Sequence, residues 1–349
     1  MIKKNNFPRL KKQPLITIAI TCFNAEKTIE RALISALNQD WPNLEIIVVD
    51  DASKDSSKKI LKKYSAKYKN LDIFFQIKNK GCADSRNLLI SKAQGEFIAF
   101  FDDDDFSRFD RIRLQYEHLV NYEKKESAEK VACFASGFRI YPNGYKKQIN
   151  SVGAFGNPPI GLKMANYLLY NERIKKIDYG AGVPTCSLLA RTCILKNVGG
   201  FDIHIRRQED IDLAIRLSMN NGHFIGIREP VINQHVSISN DKSAISEYSN
   251  SIKVLDKYKD YLTSKGLYKY MRMWIKLKYL HLSNNRFKAI IVLIKLFTAF
   301  PLRTIKHFSR SSINRFLHEQ LINSNPKRLM IKINCVKFLN HNFNIFNHE

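Results

Sequence analysis

Four consecutive carboxylates, Asp102 to Asp105, follow directly on the apolar run Phe97-Ile98-Ala99-Phe100-Phe101. Like charges gathered this closely repel one another unless a cation sits among them. A hard divalent ion such as Mg²⁺, bound by oxygen ligands together with substrate phosphates, answers that need. A solvated acidic loop is the plain alternative, but the chain around it is strongly basic, at +25 overall. Two further polar clusters, Thr21-Cys22-Phe23-Asn24 and Asp50-Asp51-Ala52-Ser53, also close apolar runs. Glu209-Asp210 opens a segment of helical periodicity, where the helix dipole favours carboxylates on its own account. Asp55 or Ser53 could likewise simply cap the helix that follows them.

The elements that must position these groups are legible from apolar spacing. Buried-type strands are predicted at Leu15–Cys22, Leu44–Val49, Leu71–Ile77 and Phe97–Phe101. Between them, helices are predicted at Ala25–Leu37, Ser56–Tyr68 and Ala83–Ala93. This βαβαβαβ order implies an α/β fold, a mostly parallel sheet flanked by helices. Ligands in such sheets gather beyond the carboxyl ends of the strands. The three polar endings therefore fall on one edge and define a site. Further on, Val131–Tyr141 reads as a strand, Pro142-Asn143-Gly144 as a turn and Gly153–Gly161 as a mobile loop. Cys186–Ala190 reads as a short strand and Glu209–Met219 as a helix, and from about Ile245 the chain is helical and basic.

The chain has 349 residues, 44% of them hydrophobic, enough for a sizeable core. A basic arm at 1–13, a main domain at 14–240 and a basic helical region at 241–349 are the expected divisions. The six cysteines form no CxxC pair and read as reduced thiols of a cytosolic protein. The Leu15–Cys22 stretch is too short for a signal-peptide core. Residues 241–349 carry 20 Lys/Arg against 6 Asp/Glu, an excess of +14. Such a charge calls for an anionic partner: nucleic acid, an anionic membrane face or phosphorylated substrates. Phe287–Leu302 is the most apolar part, yet it is shorter than the ~20 residues of a bilayer span. Lys295 and Pro301 interrupt it. It reads as a packed core helix, or as an interfacial helix flanked by Arg286, Lys288, Arg303 and Lys306.

The segments Ile18–Asn24, Glu45–Asp55 and Gly95–Asp105, with Gln39, Asn79-Lys80-Gly81 and Arg86-Asn87 between them, occur in a familiar order. Gly199-Gly200-Phe201-Asp202, then Glu209-Asp210 and Arg216, continue it. From about Pro14 to Gly226 the chain resembles family 2 glycosyltransferases of the GT-A fold, the type that builds bacterial surface polysaccharides. The resemblance implies a nucleotide half at about 14–105 and an acceptor half at about 106–240. It implies inverting, metal-dependent transfer of a sugar from a nucleotide-sugar donor, UDP-linked, to a hydroxyl of a glycan or lipid-linked acceptor. Asp51 would then face the base, with Thr21, Phe23 and Asn24 lining the nucleotide pocket, although Phe23 could also be plain core. Arg86 would meet the diphosphate unless it is merely solvated. Asp104 is the expected first ligand of Mg²⁺ or Mn²⁺, with Asp102 near the metal or ribose. Asp103 stands at the variable position among the donor contacts, and Asp105 supports the turn. Asp210 would be the base, with Glu209 beside it. Two departures stand out: Arg206-Arg207-Gln208 where a glycine-led turn is usual, and Phe109 where proline is common.

Two rivals are weaker. A sugar-nucleotide nucleotidyltransferase needs a Gly-rich, Arg-containing loop after its first strand, and Cys22-Phe23-Asn24-Ala25-Glu26 stands there instead. A nucleic-acid-binding protein would carry a helix-turn-helix, zinc or RNA-binding signature, and none is evident, so no nucleic-acid partner is expected. The expected location is cytoplasmic and peripheral, at the inner face of the cell membrane, where the basic tail meets anionic lipid.

Overall fold

The computed structural model describes residues 13–236, 243–308 and 321–322. Most of the basic arm, Cys335 and much of the end of the basic helical region lie outside the described residues. The first half follows the predicted alternation: β1 (Ile16–Cys22), α1 (Ile29–Leu37), β2 (Leu44–Asp50), α2 (Ser57–Lys67), β3 (Leu71–Phe75), α3 (Cys82–Lys92) and β4 (Phe97–Asp102). The two-residue β5 (Phe106–Ser107), α4 (Arg111–Glu126), β6 (Val131–Ile140) and β7 (Lys146–Ile149) come next. Then follow α5 (Leu162–Tyr170), a 3-10 turn at Thr185–Ser187, β8 (Leu188–Arg191), α6 (Thr192–Asn197), α7 (Glu209–Met219) and β9 (His223–His235). The chain continues with α8 (Ala244–Lys257), α9 (Lys259–Ser264), α10 (Tyr268–Leu282) and α11 (Arg286–Ala299), and residues 301–308 are helical.

One nine-stranded sheet runs β3-β2-β1-β4-β8-β6-β9-β5, with β7 paired to β6. Its β3-β2-β1-β4 half is parallel; β8 pairs antiparallel with both β4 and β6. The alternating period of a strand assigns its two faces. Ile16, Ile18 and Ile20 of β1 pack with Ile29, Leu33 and Leu61 of α1 and α2, while Ala19 joins Leu89 of α3 and Leu213 of α7 on the opposite face. A third apolar cluster joins Leu169 of α5 and Ile215 of α7 to Val254, Leu262 and Leu296 of the C-terminal helices. The basic helices are thereby packed onto the sheet domain.

Two expectations need correction. The third strand stops at Phe75: the Gln76 N–H still bonds to Asp50 O at 2.9 Å and its side chain to Ser85 Oγ, but the next apolar residue, Ile77, is fully exposed beyond the sheet. The Gly153–Gly161 segment, expected to be mobile, is pinned: Gly153 and Asn157 donate to Asp178 O and Lys176 O, and Phe155 N–H to the Asp178 carboxylate. Gly95 answers a plain steric need, since a Cβ there would lie 2.5 Å from Thr17 Oγ1 of β1.

Candidate active site

Strand register brings the polar endings level. Cys22 of β1 pairs with Asp50 of β2, and Thr21 of β1 with Asp102 of β4. Beyond these ends opens a cleft of about 920 Å³. Thr21, Phe23, Asp51, Arg86 and Asp102–Asp104 line one side of it, and Arg206 to Asp210 another. Asn24 is absent from the lining; its Oδ1 accepts the Lys54 N–H at 2.8 Å and so ties two strand-end loops together. Phe23 is 46% exposed at the rim, which removes the plain-core reading. Asp51 is buried, and its two carboxylate oxygens accept the N–H groups of Lys80 and Gly81, each at 2.8 Å.

The acidic quartet divides by role. Asp103 accepts the Phe23 N–H at 2.9 Å. Burial pushes its carboxyl up to about 8 against that bond's pull, and the charges of Asp104 and Asp102 add to the rise. Asp105 accepts the His235 N–H at 3.0 Å, and burial followed by Asp102 and Asp104 raises it as well. Asp102, Asp105 and Cys186 each offer a ligand atom within 4.8 Å of the others. Burial keeps Cys186 a neutral thiol, a poor donor for a hard ion, so the oxygen ligands fit Mg²⁺ or Mn²⁺ better than the sulfur does. The backbone carbonyl of Asp104 accepts a bond from the Arg31 guanidinium, which fixes the turn. Carboxyls that resist ionisation side by side are what a bound divalent cation would relieve, so this acid set fits one.

Arg86, on α3, is buried rather than solvated. Its Nη1 donates to Glu209 Oε1 at 2.6 Å and its Nη2 to Asp102 Oδ1 at 3.5 Å, while the guanidinium lies 5.4 Å from the Phe201 ring centre. Burial opposes its charge, yet Cys82, Glu209, Asp102 and Asp210 together hold it protonated above its ordinary range. One cation thus joins the acidic end of β4 to the start of α7. Asp210, next along α7, is pushed up to about 6, first by burial and then by Glu209. A carboxylate there can take a proton near neutral pH.

Sequence reading missed several contributors. Gln208, ahead of α7, takes a positive φ of 67°, the conformation a glycine would have supplied. Its side chain donates to Ser251 Oγ on α8 at 2.6 Å, which holds it there. Helix α8 itself walls the cleft through Ser246, Ser249, Asn250 and Lys253, and Asn250 Oδ1 accepts the Arg206 N–H. Arg206, Arg207 and Lys253 set positive charge opposite the acids. His235 at the end of β9 adjoins Asp105, and its Nδ1 is buried with no hydrogen-bond partner among the described residues. The β5–β9 pairing brings it there, and no local signal announces that.

A sheet whose central strands end in acids, flanked by helices, is the GT-A arrangement. The family model for glycosyl transferase family 2 matches residues 17–188. A glycosyltransferase of Haemophilus influenzae described as uncharacterized is 38% identical over 168 residues, spanning 48% of this chain and 66% of that one. A UDP-Glc:alpha-D-GlcNAc-diphosphoundecaprenol beta-1,3-glucosyltransferase of Escherichia coli is 31% identical over 209 residues, spanning 59% and 70%. A cholesterol galactosyltransferase of Borreliella burgdorferi is 31% identical, and the match spans 54% of its length. Among solved structures, S. aureus TarS 1-349 in complex with UDP-GlcNAc superposes with a TM-score of 0.55 at 17% identity, covering 85% of this chain and 87% of that one. The chain belongs to glycosyltransferase family 2. The matched segment spans roughly half to two thirds of the length of these curated relatives.

Proposed function

We propose that the protein transfers a sugar from a UDP-linked donor to a hydroxyl of a glycan or lipid-linked acceptor, with inversion, in surface-polysaccharide synthesis. The observation that carries this reading is Arg86, which joins Asp102 to Glu209 and so sets the Asp210 carboxylate beside the acidic strand end in one cleft. The donor assignment draws on the E. coli relative, whose name specifies UDP-Glc, and on TarS, crystallised with UDP-GlcNAc. Thr21, Phe23 and Asp51 would receive the nucleotide, while Arg86, Asp102 and Asp103 would face the diphosphate side. Asp104 and Asp102 would hold Mg²⁺ or Mn²⁺, with Asp105 and His235 alongside. Bound there, the cation would neutralise the charge on the departing nucleoside diphosphate.

Asp210 would accept the acceptor hydroxyl's proton as that oxygen bonds to the anomeric carbon. The bond from that carbon to the diphosphate breaks on the opposite face, and the electron pair leaves with the nucleotide. One displacement inverts the centre, and no second nucleophile is required. Arg206, Arg207 and Lys253 suit an acceptor that carries phosphate. No helix among the described residues is long and apolar enough to cross a membrane. We place the enzyme at the cytoplasmic face of the cell membrane as a peripheral protein.

A panel of sugar nucleotides tests the assignment, scored for Mg²⁺- or Mn²⁺-dependent donor turnover and thermal stabilisation. One donor should respond, and Asp104→Ala should abolish the response. Asp210→Asn should cut transfer by roughly 10²–10⁴ while nucleotide binding holds. Equal loss of both would give Asp210 a structural role, and silence from every donor would end the transferase reading.

A further inference from the structure

Helix α11 and the helical residues 301–308 present two apolar rows, and only one of them is covered. The inner row, Val292, Leu296, Phe300 and Thr304, packs on the C-terminal cluster, and the Thr304 hydroxyl donates back to Leu296 O. The outer row on α11 is Phe287, Ile290, Ile294 and Phe297, with Phe287 74% exposed. Beyond Phe300 it continues through Leu302, Ile305 and Phe308, with Leu302 82% exposed. Within α11 and within residues 301–308 taken separately, 100° per residue puts each row on one face, and Phe300 (φ −142°, ψ 56°) breaks the helix between them. Lys288, Lys295 and Lys306 fall along one border of these rows. Soluble surfaces rarely leave such apolar rows bare unless something binds them.

The same helix supplies a second feature. Arg303, Lys306 and His307 line a cavity of about 380 Å³ together with Lys265, Tyr170 and Tyr270. Its one acid, Glu172, already accepts from the Asn166 amide and the Tyr170 hydroxyl. A basic cavity beside an apolar stripe matches the order of an anionic bilayer, acyl chains under a layer of phosphates. Charge selects against the other covers. Residues 309–349 carry 6 Lys/Arg and 2 Asp/Glu, so that segment would bring more positive charge onto a basic rim. A second copy of the face would do the same.

We propose that the outer face of α11 and residues 301–308 docks into the interface of an anionic bilayer, the adjoining cavity taking a lipid phosphate. This rests on the peripheral-membrane reading above and names its surface, while standing apart from the chemistry of transfer. Full-length protein is sedimented at low salt with vesicles of phosphatidylglycerol and phosphatidylcholine, and with phosphatidylcholine alone. The wild type should prefer the anionic vesicles. The variant Ile290→Ser/Ile294→Ser should bind them roughly tenfold or more weakly. Arg303→Gln/Lys306→Gln should lose about fivefold per charge and most of the preference. Both variants should turn over donor in solution like the wild type, so a failure of docking is separable from a failure of the transferase reading. The proposal is overturned by wild-type indifference to lipid charge, by unchanged binding in both variants, or by a wild-type dimer that the serine variant dissociates. A serine variant that melts several degrees early would show the face covered by the chain itself, which also overturns it.

Discussion

Replacing Arg86 with methionine keeps an unbranched stem but removes the guanidinium that lies between Glu209 and Asp102 and against the Phe201 ring. At an effective dielectric near 20, a pair about 4 Å apart contributes about 4 kcal/mol, the scale of the 2.6 Å bond to Glu209. The longer 3.5 Å contact to the more exposed Asp102, which water screens further, adds about 1–2 kcal/mol. Relief of the buried guanidinium's own desolvation offsets part of this, leaving a net loss of about 3–5 kcal/mol. For a chain of this length that is a fall in melting temperature of roughly 4–7 °C. The assay is a double-mutant cycle by thermal and urea denaturation. Arg86→Met/Glu209→Gln should recover about 1–2 kcal/mol relative to Arg86→Met, because the stranded carboxylate is neutralised. A single-variant loss below about 1 kcal/mol, or losses that merely add, would refute the idea that one cation holds the two halves of the site together.

Asp210 must be ionised to accept a proton, and it is pushed up to about 6, so kcat/KM should fall about tenfold per pH unit below that value and level off above it. A profile flat down to about pH 4.5 would exclude Asp210 as the base. Asp103 and Asp105 are raised in the folded state, so their contribution to stability is complete below the ordinary carboxylate range and is lost as pH rises through about 8. A divalent cation opposes that loss, so the melting-temperature gain from Mn²⁺ should grow between about pH 6 and 8.5; an equal gain at both ends counts against a cation on these acids. Gly200 sits at φ 65°, and a Cβ there would lie 2.4 Å from Asn87 Oδ1, which clamps the Phe201 N–H. Gly200→Ala should therefore cost about 2–3 kcal/mol by denaturation, and a neutral result would mean the clamp is dispensable. Tyr258→Phe removes the 2.9 Å bond from its hydroxyl to buried Asp212 and should cost about 1–2 kcal/mol, measured the same way.

Strands β1, β2 and β4 were legible because strands covered on both faces carry nearly unbroken apolar runs, and their polar endings mark the ligand edge. Most of what escaped sequence reading depends on partners distant in the chain. Strand β3 ends at Phe75, short of the apolar Ile77, which leaves the sheet and stays exposed, and the glycine loop is pinned by residues 176–178. His235 reaches Asp105 only through the β5–β9 register. Gln208 adopts a glycine's conformation because Ser251 on another helix holds it, so the missing glycine pointed to an uncertain turn and not to its solution. The cleft wall on α8 lies in the part of the chain outside the recognisable pattern, where nothing local marks Asn250 or Lys253 as site residues.

The packing of α8 onto α5 and α7 also has a consequence for how the chain assembles during synthesis. The donor side of the cleft is built from β1 to β4, with β2 paired to β1 and β3, and β4 returning beside β1, so all of it precedes α8 in the chain. Its far wall must await residues 243–257, and until Val254 and Tyr258 arrive, Leu169, Ile205 and Ile215 have no cover from that helix. A nascent chain halted before α8 therefore offers a formed donor edge beside an open greasy seam, the kind of intermediate that invites chaperones or aggregation.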